Sequence, residues 1–149
     1  KVIKANSKII VENPELIKGK RALLVEDGPT ITHGGMTFGA ATVAAKLYGA
    51  KEIVSAKKYA IGSIKETFEK YKHLEKELPA MGYSKEQIKD LQETINRADC
   101  DIVIDGSPVN LSKLIKANKP ILDVDYELEE ITKPGLKDII TKFIKKVKG

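Results

Sequence analysis

The chain has 149 residues, of which 42% are hydrophobic and 32% are charged, and its formal net charge is +5. This composition is typical of a folded domain and excludes a disordered chain, and no stretch approaches the roughly 20 apolar residues of a transmembrane helix. The one cysteine, Cys100, excludes an internal disulfide framework, and with two histidines it is too few for a Cys/His structural zinc site. We therefore expect a cytoplasmic protein with no membrane partner.

The basic residues are almost all lysine: 24 of the 26 are lysine, and only Arg21 and Arg97 are arginine. Lysines and acidic residues are interspersed along the chain, and aromatic residues make up 5%. Nucleic-acid binders concentrate their positive charge and use arginine and aromatic side chains, so this pattern disfavours a nucleic-acid partner. Many lysines and glutamates with few glutamines are typical of proteins from hyperthermophiles.

Short apolar runs alternate with amphipathic segments along the chain. Continuous runs of valine, isoleucine and leucine predict strands buried on both faces, as in a parallel sheet. Four such strands are predicted, at 22–25, 53–55, 102–104 and 121–124, with a further one at 9–11. Helices are predicted at 37–48, along the stripe Ile64, Phe68 and Tyr71, after the N-cap Ser84, at 110–117 and at 136–147.

This alternation predicts an α/β fold: a doubly wound, mostly parallel sheet of four or five strands with helices on both faces, in a Rossmann-like arrangement. We expect residues 1–149 to form a single α/β domain, in which residues 1–19 are either a linker or an edge strand. Ligands of such sheets bind beyond the carboxyl ends of the strands, so the residues that follow each apolar run are the candidates for a site.

The richest of these segments, residues 24–36, runs from a strand end to a helix start. Gly34 and Gly35 let an anion approach the backbone closely, and Thr30 and Thr32 add hydroxyl donors. His33 can donate to a phosphate oxygen or transfer a proton, and we assign it the catalytic role. The segment therefore predicts a phosphate site, although Asp-Gly-Pro turn chemistry and glycine packing remain the structural alternative.

Two further groups complete the candidate site. Glu26 and Asp27 of the same segment, with Asp105 after the third strand, are assigned to Mg²⁺ or to a substrate hydroxyl group. Ser63 and Lys65, at the start of the helix that follows the second strand, are assigned to phosphate contact. For Ser63 an ordinary N-cap role is the alternative.

An ordered series of motifs along the chain resembles a known family. The series comprises the segments 25–30, 32–36, 39–40, 44–46, 61–68, 78–83, 93–97, 105–108 and the pair 119–120. It resembles the C-terminal region of archaeal cyclic 2,3-diphosphoglycerate synthetase and its relatives, some of which are labelled as GTPases. The resemblance covers roughly residues 20 to 130.

The resemblance implies an enzyme that uses ATP and Mg²⁺ to activate 2,3-diphosphoglycerate and close an intramolecular phosphoanhydride. The P-loop of that family lies in an upstream domain and has no counterpart here, so the resemblance implies the C-terminal domain of a longer protein, inactive by itself. Its partners would be a phosphorylated small molecule and the P-loop domain, and a homo-oligomer is left open. The alternatives are a stand-alone module that binds a phosphometabolite or nucleotide without catalysis, and a domain that serves only assembly.

Overall fold

The computed structural model describes residues 2–148, so the ends of the predicted 1–149 range lie outside the described residues. The fold is α/β, with a six-stranded, mostly parallel sheet, which confirms the predicted class. Contacts divide the chain into two compact units, Ile10–Asp125 and the pair of segments Lys1–Ile9 and Tyr126–Gly149. Within residues 2–148, no helix is both long enough and apolar enough to cross a bilayer.

The strands are β1 (Ala5–Val11), β2 (Arg21–Asp27), β3 (Glu52–Ile53), β4 (Leu78–Ala80), β5 (Ile102–Gly106) and β6 (Ile121–Glu130). Their order in the sheet is β1-β6-β5-β2-β3, and β4 also pairs with β2. The helices are α1 (Gly28–Thr32), α2 (Ala40–Leu47), α3 (Gly62–Lys70), α4 (Lys85–Arg97), α5 (Leu111–Leu114) and α6 (Leu136–Lys148). Two 3₁₀ turns lie at Pro14–Leu16 and Ala56–Lys58.

Two of these elements were not predicted. Strand β4 is three residues long and contains Pro79, so neither its length nor its composition marks a strand. Helix α1 begins directly at the end of β2, with Asp27 as its N-cap and Pro29 in its first turn, where the sequence suggested only a loop. The sheet consequently has six strands where four or five were expected.

The unit Ile10–Asp125 has a core on both faces of the sheet. Leu23, Val25 and Val103 belong to the cluster that contains the buried residues of α3 and α4. Their neighbours along the strands are also buried, and these neighbours point to the opposite face because side chains alternate in a strand. Helix α2, with Ala41 and Ala44 fully buried, packs against β2 and β5. Burial on both faces explains why the strands appear as continuous apolar runs.

Helix α4 is held at both ends. The predicted N-cap is confirmed, because the Ser84 hydroxyl accepts from the Gln87 amide at 3.2 Å and the Gln87 side chain accepts from the Ser84 amide at 3.3 Å. At the other end, the Lys119 ammonium donates to the carbonyls of Ile95 and Ala98 at 2.9 and 2.8 Å. A cation there satisfies the free carbonyls of the last turn.

The second unit contains the end of β6, the start of β1 and helix α6. Among its described residues, no hydrophobic side chain is buried. The apolar stripe that predicts the last helix is present but exposed, at Leu136, Ile140, Phe143, Ile144 and Val147.

Candidate functional site

The carboxyl ends of β2 and β5 bring the predicted acidic residues to one edge of the sheet. In the register of these strands, Val25 lies beside Asp105 and Glu26 lies beside Gly106. Because consecutive side chains of a strand alternate between faces, Asp27 and Asp105 share one face and Glu26 lies on the other. The three carboxylates assigned to one metal are therefore divided by the sheet.

Glu26 is 1% exposed, and its carboxylate is used entirely within the protein. One oxygen accepts from the amides of Gly39 and Thr42 at 3.1 and 2.8 Å and from the Thr42 hydroxyl at 2.8 Å, and the other accepts from the Ala41 amide at 3.2 Å. Burial raises the pKa of Glu26, and these hydrogen bonds oppose that effect. The carboxylate thus fills the anion position at the N-terminus of α2.

Asp105 is the most perturbed carboxyl group at this edge. It is 2% exposed and accepts from the amides of Ser107 and Leu111 at 2.9 and 3.3 Å. Burial raises the pKa of Asp105 to about 6, with a smaller contribution from Asp123, its register partner on β6. A buried carboxyl group that titrates this close to neutrality is typical of functional sites, although structural networks perturb pKa values as well.

A cavity of about 210 Å³ lies between the carboxyl end of β5 and the first half of β6. Its lining includes Asp105, Asp123, Asp125, Ser107 and Asn110. Burial and the neighbouring Asp125 raise the pKa of Asp123, which accepts from the Asn110 side chain at 3.3 Å. Three carboxyl groups around so small a space favour a cation over an anion.

Tyr83 lies in the loop after β4, the strand whose last residue, Ala80, pairs with Asp27. Burial raises the pKa of its hydroxyl group, and the charges of Asp27 and Asp105 raise it further. The side chain is only partly buried, with 46% of it exposed, and its phenol is a polar group near two carboxylates. Tyr83 was not among the predicted site residues, although its place three residues after the end of β4, in the motif 78–83, was a usable signal.

The threonines of α1 are committed to local contacts. Asp27 accepts from the Thr30 amide at 3.2 Å and from the Thr30 hydroxyl at 2.5 Å, which caps the helix. The Thr32 hydroxyl donates to the Gly28 carbonyl at 2.7 Å. Neither hydroxyl group presents a free proton to a ligand, and the phosphate roles of Thr30 and Thr32 stay predictions.

His33 ends α1 with its ring exposed to solvent. Its Nδ1 lies 3.0 Å from Oγ1 of Thr32, and its Nε2 lies 3.3 Å from the hydroxyl group of Tyr71. The rings of His33 and Tyr71 meet edge to face, with centroids 5.8 Å apart, and His73 packs in the same way on Tyr71 at 6.2 Å. His33 was predicted as a site residue, whereas Tyr71 was not, because it is distant in the chain.

A second cavity, of about 280 Å³, lies beside α3. His33, Tyr71, Ser63, Glu66 and Lys70 are among its lining residues. The structure therefore brings two predicted residues, His33 and Ser63, to one cavity.

Ser63 and Lys65, at the start of α3, are not arranged as the predicted phosphate contact requires. The amide and hydroxyl groups of Ser63 both donate to one oxygen of Asp90, at 2.8 and 2.7 Å. A carboxylate of the protein thus occupies this helix N-terminus, and Lys65 lies exposed on the following turn. The phosphate roles of Ser63 and Lys65 stay predictions.

Gly34 and Gly35 lie in the exposed segment between α1 and α2. A side chain at Gly34 would collide with the Thr30 carbonyl, and Gly35 has a φ of 63°, which favours glycine. Both glycines are thus explained by the turn itself, and their predicted contact with a phosphate has no further support.

The donor set does not fit a metal ion. Among residues 2–148, no three or more His, Cys, Asp or Glu side chains come together in a way that could hold one. Glu26 and Asp105 use their oxygens on backbone amides, and Asp27 uses one oxygen on Thr30. We assign no step to a metal held by these carboxylates.

Comparison with known proteins gives one informative likeness. The chain is 60% identical over 144 residues to the arginine synthetase ArcE of Thermococcus kodakarensis. The match covers 97% of this chain but only 32% of that protein, so the chain spans about a third of the curated relative. No family model matches the chain, and no solved structure matches it. This chain is therefore similar to one part of a larger synthetase from a thermophilic archaeon.

Proposed function

We propose that this chain is one domain of an ATP-dependent ligase, and that the complete protein forms arginine. The observation that carries the proposal is the 60% identity, over nearly the whole chain, to part of a protein named arginine synthetase. The cavity between β5 and β6 supports it, because three carboxyl groups suit the cationic groups of arginine better than they suit a phosphate. Since ATP is kept inside cells, we place the ligase in the cytoplasm.

The chemistry of such a ligase explains why this domain would act with another one. Arginine differs from the ureido compound citrulline by a nitrogen in place of an oxygen, and that oxygen leaves readily only after it is activated. ATP supplies the phosphoryl group for activation, and we expect ATP and its Mg²⁺ to be held by a P-loop domain elsewhere in the protein. This domain would position the amino-acid substrate, because phosphoryl transfer depends mainly on positioning and charge.

Within the domain, we assign substrate contact to the carboxylates that line the cavity between β5 and β6. Asp123 would bind the α-ammonium group of the amino acid, and Asp105, whose oxygens already accept from backbone amides, would contribute its charge. A buried carboxyl group such as Asp105 stays ionised more readily once a cation lies beside it, so ligand and protein stabilise each other's charge.

Synthesis of cyclic 2,3-diphosphoglycerate is the second candidate, favoured by the ordered motif series. It shares the ATP-dependent activation of an oxygen but requires cationic contacts for a bisphosphate. The candidates for those contacts are Lys65 and His33. The carboxylates at both helix N-termini, Glu26 at α2 and Asp90 at α3, weigh against a bound bisphosphate there.

The test is product formation by the full-length protein with ATP and Mg²⁺. One reaction contains citrulline with ammonium, and another contains 2,3-diphosphoglycerate. We expect arginine from the first, and we expect the substitution Asp123→Asn to lower kcat/KM for the amino acid about tenfold or more, since it removes a charge from the cavity. Arginine and cyclic diphosphoglycerate are separated and quantified by mass spectrometry.

The control variant is Glu15→Gln, which removes one charge from an exposed residue of a 3₁₀ turn. It should form arginine at the wild-type rate. Formation of the cyclic product alone would favour the second candidate, and binding without turnover of either substrate set would favour a binding module.

A further inference from the structure

We infer that Thr32, His33 and Tyr71 form a proton relay, and that the cavity beside α3 receives an amine nucleophile whose proton this relay accepts. The use of the relay for an amine rests on the proposed function, whereas the relay itself rests on geometry alone. Three observations carry it: the fixed hydrogen of Thr32, the two contacts of the His33 ring, and the place of Tyr71 at the cavity wall.

The Thr32 hydroxyl group determines which nitrogen of His33 carries the proton. Its single hydrogen is directed to the Gly28 carbonyl at 2.7 Å, and a carbonyl can only accept. The Thr32 oxygen is therefore left as an acceptor for Nδ1 of His33, 3.0 Å away. Hence Nδ1 carries the hydrogen of the neutral ring, and Nε2 keeps its lone pair.

The lone pair of Nε2 is directed at Tyr71. The phenol oxygen lies 3.3 Å from Nε2, so the Tyr71 hydroxyl group is the donor of this contact. Edge-to-face packing holds the Tyr71 ring between His33 and His73, and Nε2 of His73 donates to the Ile31 carbonyl at 2.6 Å. An exposed histidine is thereby fixed in one orientation and one tautomer.

The other hydroxyl groups at the cavity are engaged elsewhere. Ser63 donates to Asp90 at 2.7 Å, and Thr67 donates to the Ser63 carbonyl at 2.8 Å. The charged lining residues, Glu66 and Lys70, are of opposite sign. A nucleophile that enters this space therefore reaches Nε2 of His33 through the phenol of Tyr71.

In the proposed step, a proton passes from the amine through Tyr71 to His33. The amine nitrogen forms its bond to the activated carbon and releases a proton to the Tyr71 oxygen, while Tyr71 passes its own proton to Nε2 of His33. The phenol is neutral before and after, and His33 becomes an imidazolium whose Nδ1 proton stays on Thr32. The activating phosphate leaves with its bonding electron pair, and the imidazolium returns the extra proton to solvent.

The first test measures the tautomer directly in the full-length protein. The protein is labelled with ¹⁵N-histidine, the signals are assigned with His33→Gln, and spectra are recorded at a pH where the ring is neutral. Nδ1 of His33 should then show the ¹⁵N chemical shift of a protonated nitrogen, and Nε2 that of an unprotonated nitrogen. Thr32→Val should move the ring toward the Nε2-protonated form, and Thr32→Ser should restore the wild-type spectrum. A protonated Nε2 in the wild type, or no change in Thr32→Val, would overturn the relay.

The second test measures turnover. We expect Tyr71→Phe to lower kcat about 100-fold or more at unchanged KM for ATP, because acid–base groups contribute factors of about 100 or more. Tyr126→Phe, at an exposed tyrosine of β6, is the matched control and should behave as the wild type. Wild-type turnover in Tyr71→Phe would refute the role in synthesis. If the wild type forms no arginine but the tautomer is as expected, the proposed function fails while the relay stands.

Discussion

Replacement of Glu26 by glutamine should lower the free energy of unfolding by about 3 kcal/mol. The Glu26 carboxylate accepts four hydrogen bonds from Gly39, Ala41 and Thr42 while it is almost fully buried. A glutamine has one acceptor oxygen, and its amide group would turn two hydrogens toward the N–H donors of α2. The lost stability therefore has two causes: backbone N–H groups of α2 lose an acceptor, and the buried glutamine NH₂ group points at other hydrogen-bond donors.

Urea denaturation of the full-length protein, followed by a probe in this domain, measures the effect. Glu15→Gln serves as the control, since Glu15 is exposed and should change stability by less than about 0.5 kcal/mol. A Glu26→Gln protein as stable as the control would show that the carboxylate does not hold the start of α2.

The second large effect is a pH dependence at Asp105. Its pKa is raised to about 6 in the folded domain, above the ordinary value that it has in the unfolded chain. The folded state therefore holds a proton that the unfolded state has lost, and stability falls as the pH rises between about 4 and 6. The total loss is on the order of 2–3 kcal/mol, because each unit of pKa difference is worth about 1.4 kcal/mol.

Asp105→Asn removes this titration. The variant carries a constant penalty, because an asparagine has one oxygen for the amides of Ser107 and Leu111, but its stability should lack this fall with pH. The difference in unfolding free energy between variant and wild type should thus shift in favour of the variant from pH 4 to pH 7. Denaturation curves at several pH values test this, and parallel pH profiles for the two proteins would refute the raised pKa.

Most of the fold could be predicted from the sequence, because the hydrophobic pattern of each segment matches the burial of that segment in the structure. The strands β2 and β5 are buried on both faces, so they appear as unbroken apolar runs, and Ser84 with Gln87 marks the start of α4. Strand β4 was not accessible, since a three-residue strand with Pro79 carries no local signal. Its pairing with Val25–Asp27 exists only once the sheet is formed.

The candidate site could be predicted from the sequence only in part. Strand ends indicated Asp27, Asp105 and the turn around His33, and the hydrogen bonds of Asp27 and Asp105 are local. The contact between His33 and Tyr71 depends instead on a distant segment. Tyr71 and Asp90 reach the site through tertiary packing that no spacing predicts. The opposite orientation of Glu26 and Asp27 could have been foreseen from strand alternation, which argues against joint ligation of a metal.

Arginine binding to the full-length protein tests the central claim most directly, namely that the carboxylates of the cavity between β5 and β6 receive a cationic amino acid. Calorimetry compares the wild type with Asp123→Asn and with the control Glu15→Gln. We expect arginine to bind the wild type and the control equally and the Asp123→Asn protein about tenfold or more weakly, a difference of about 1.4 kcal/mol or more. Equal affinity for all three proteins, or binding of 2,3-diphosphoglycerate but not arginine, would contradict the account.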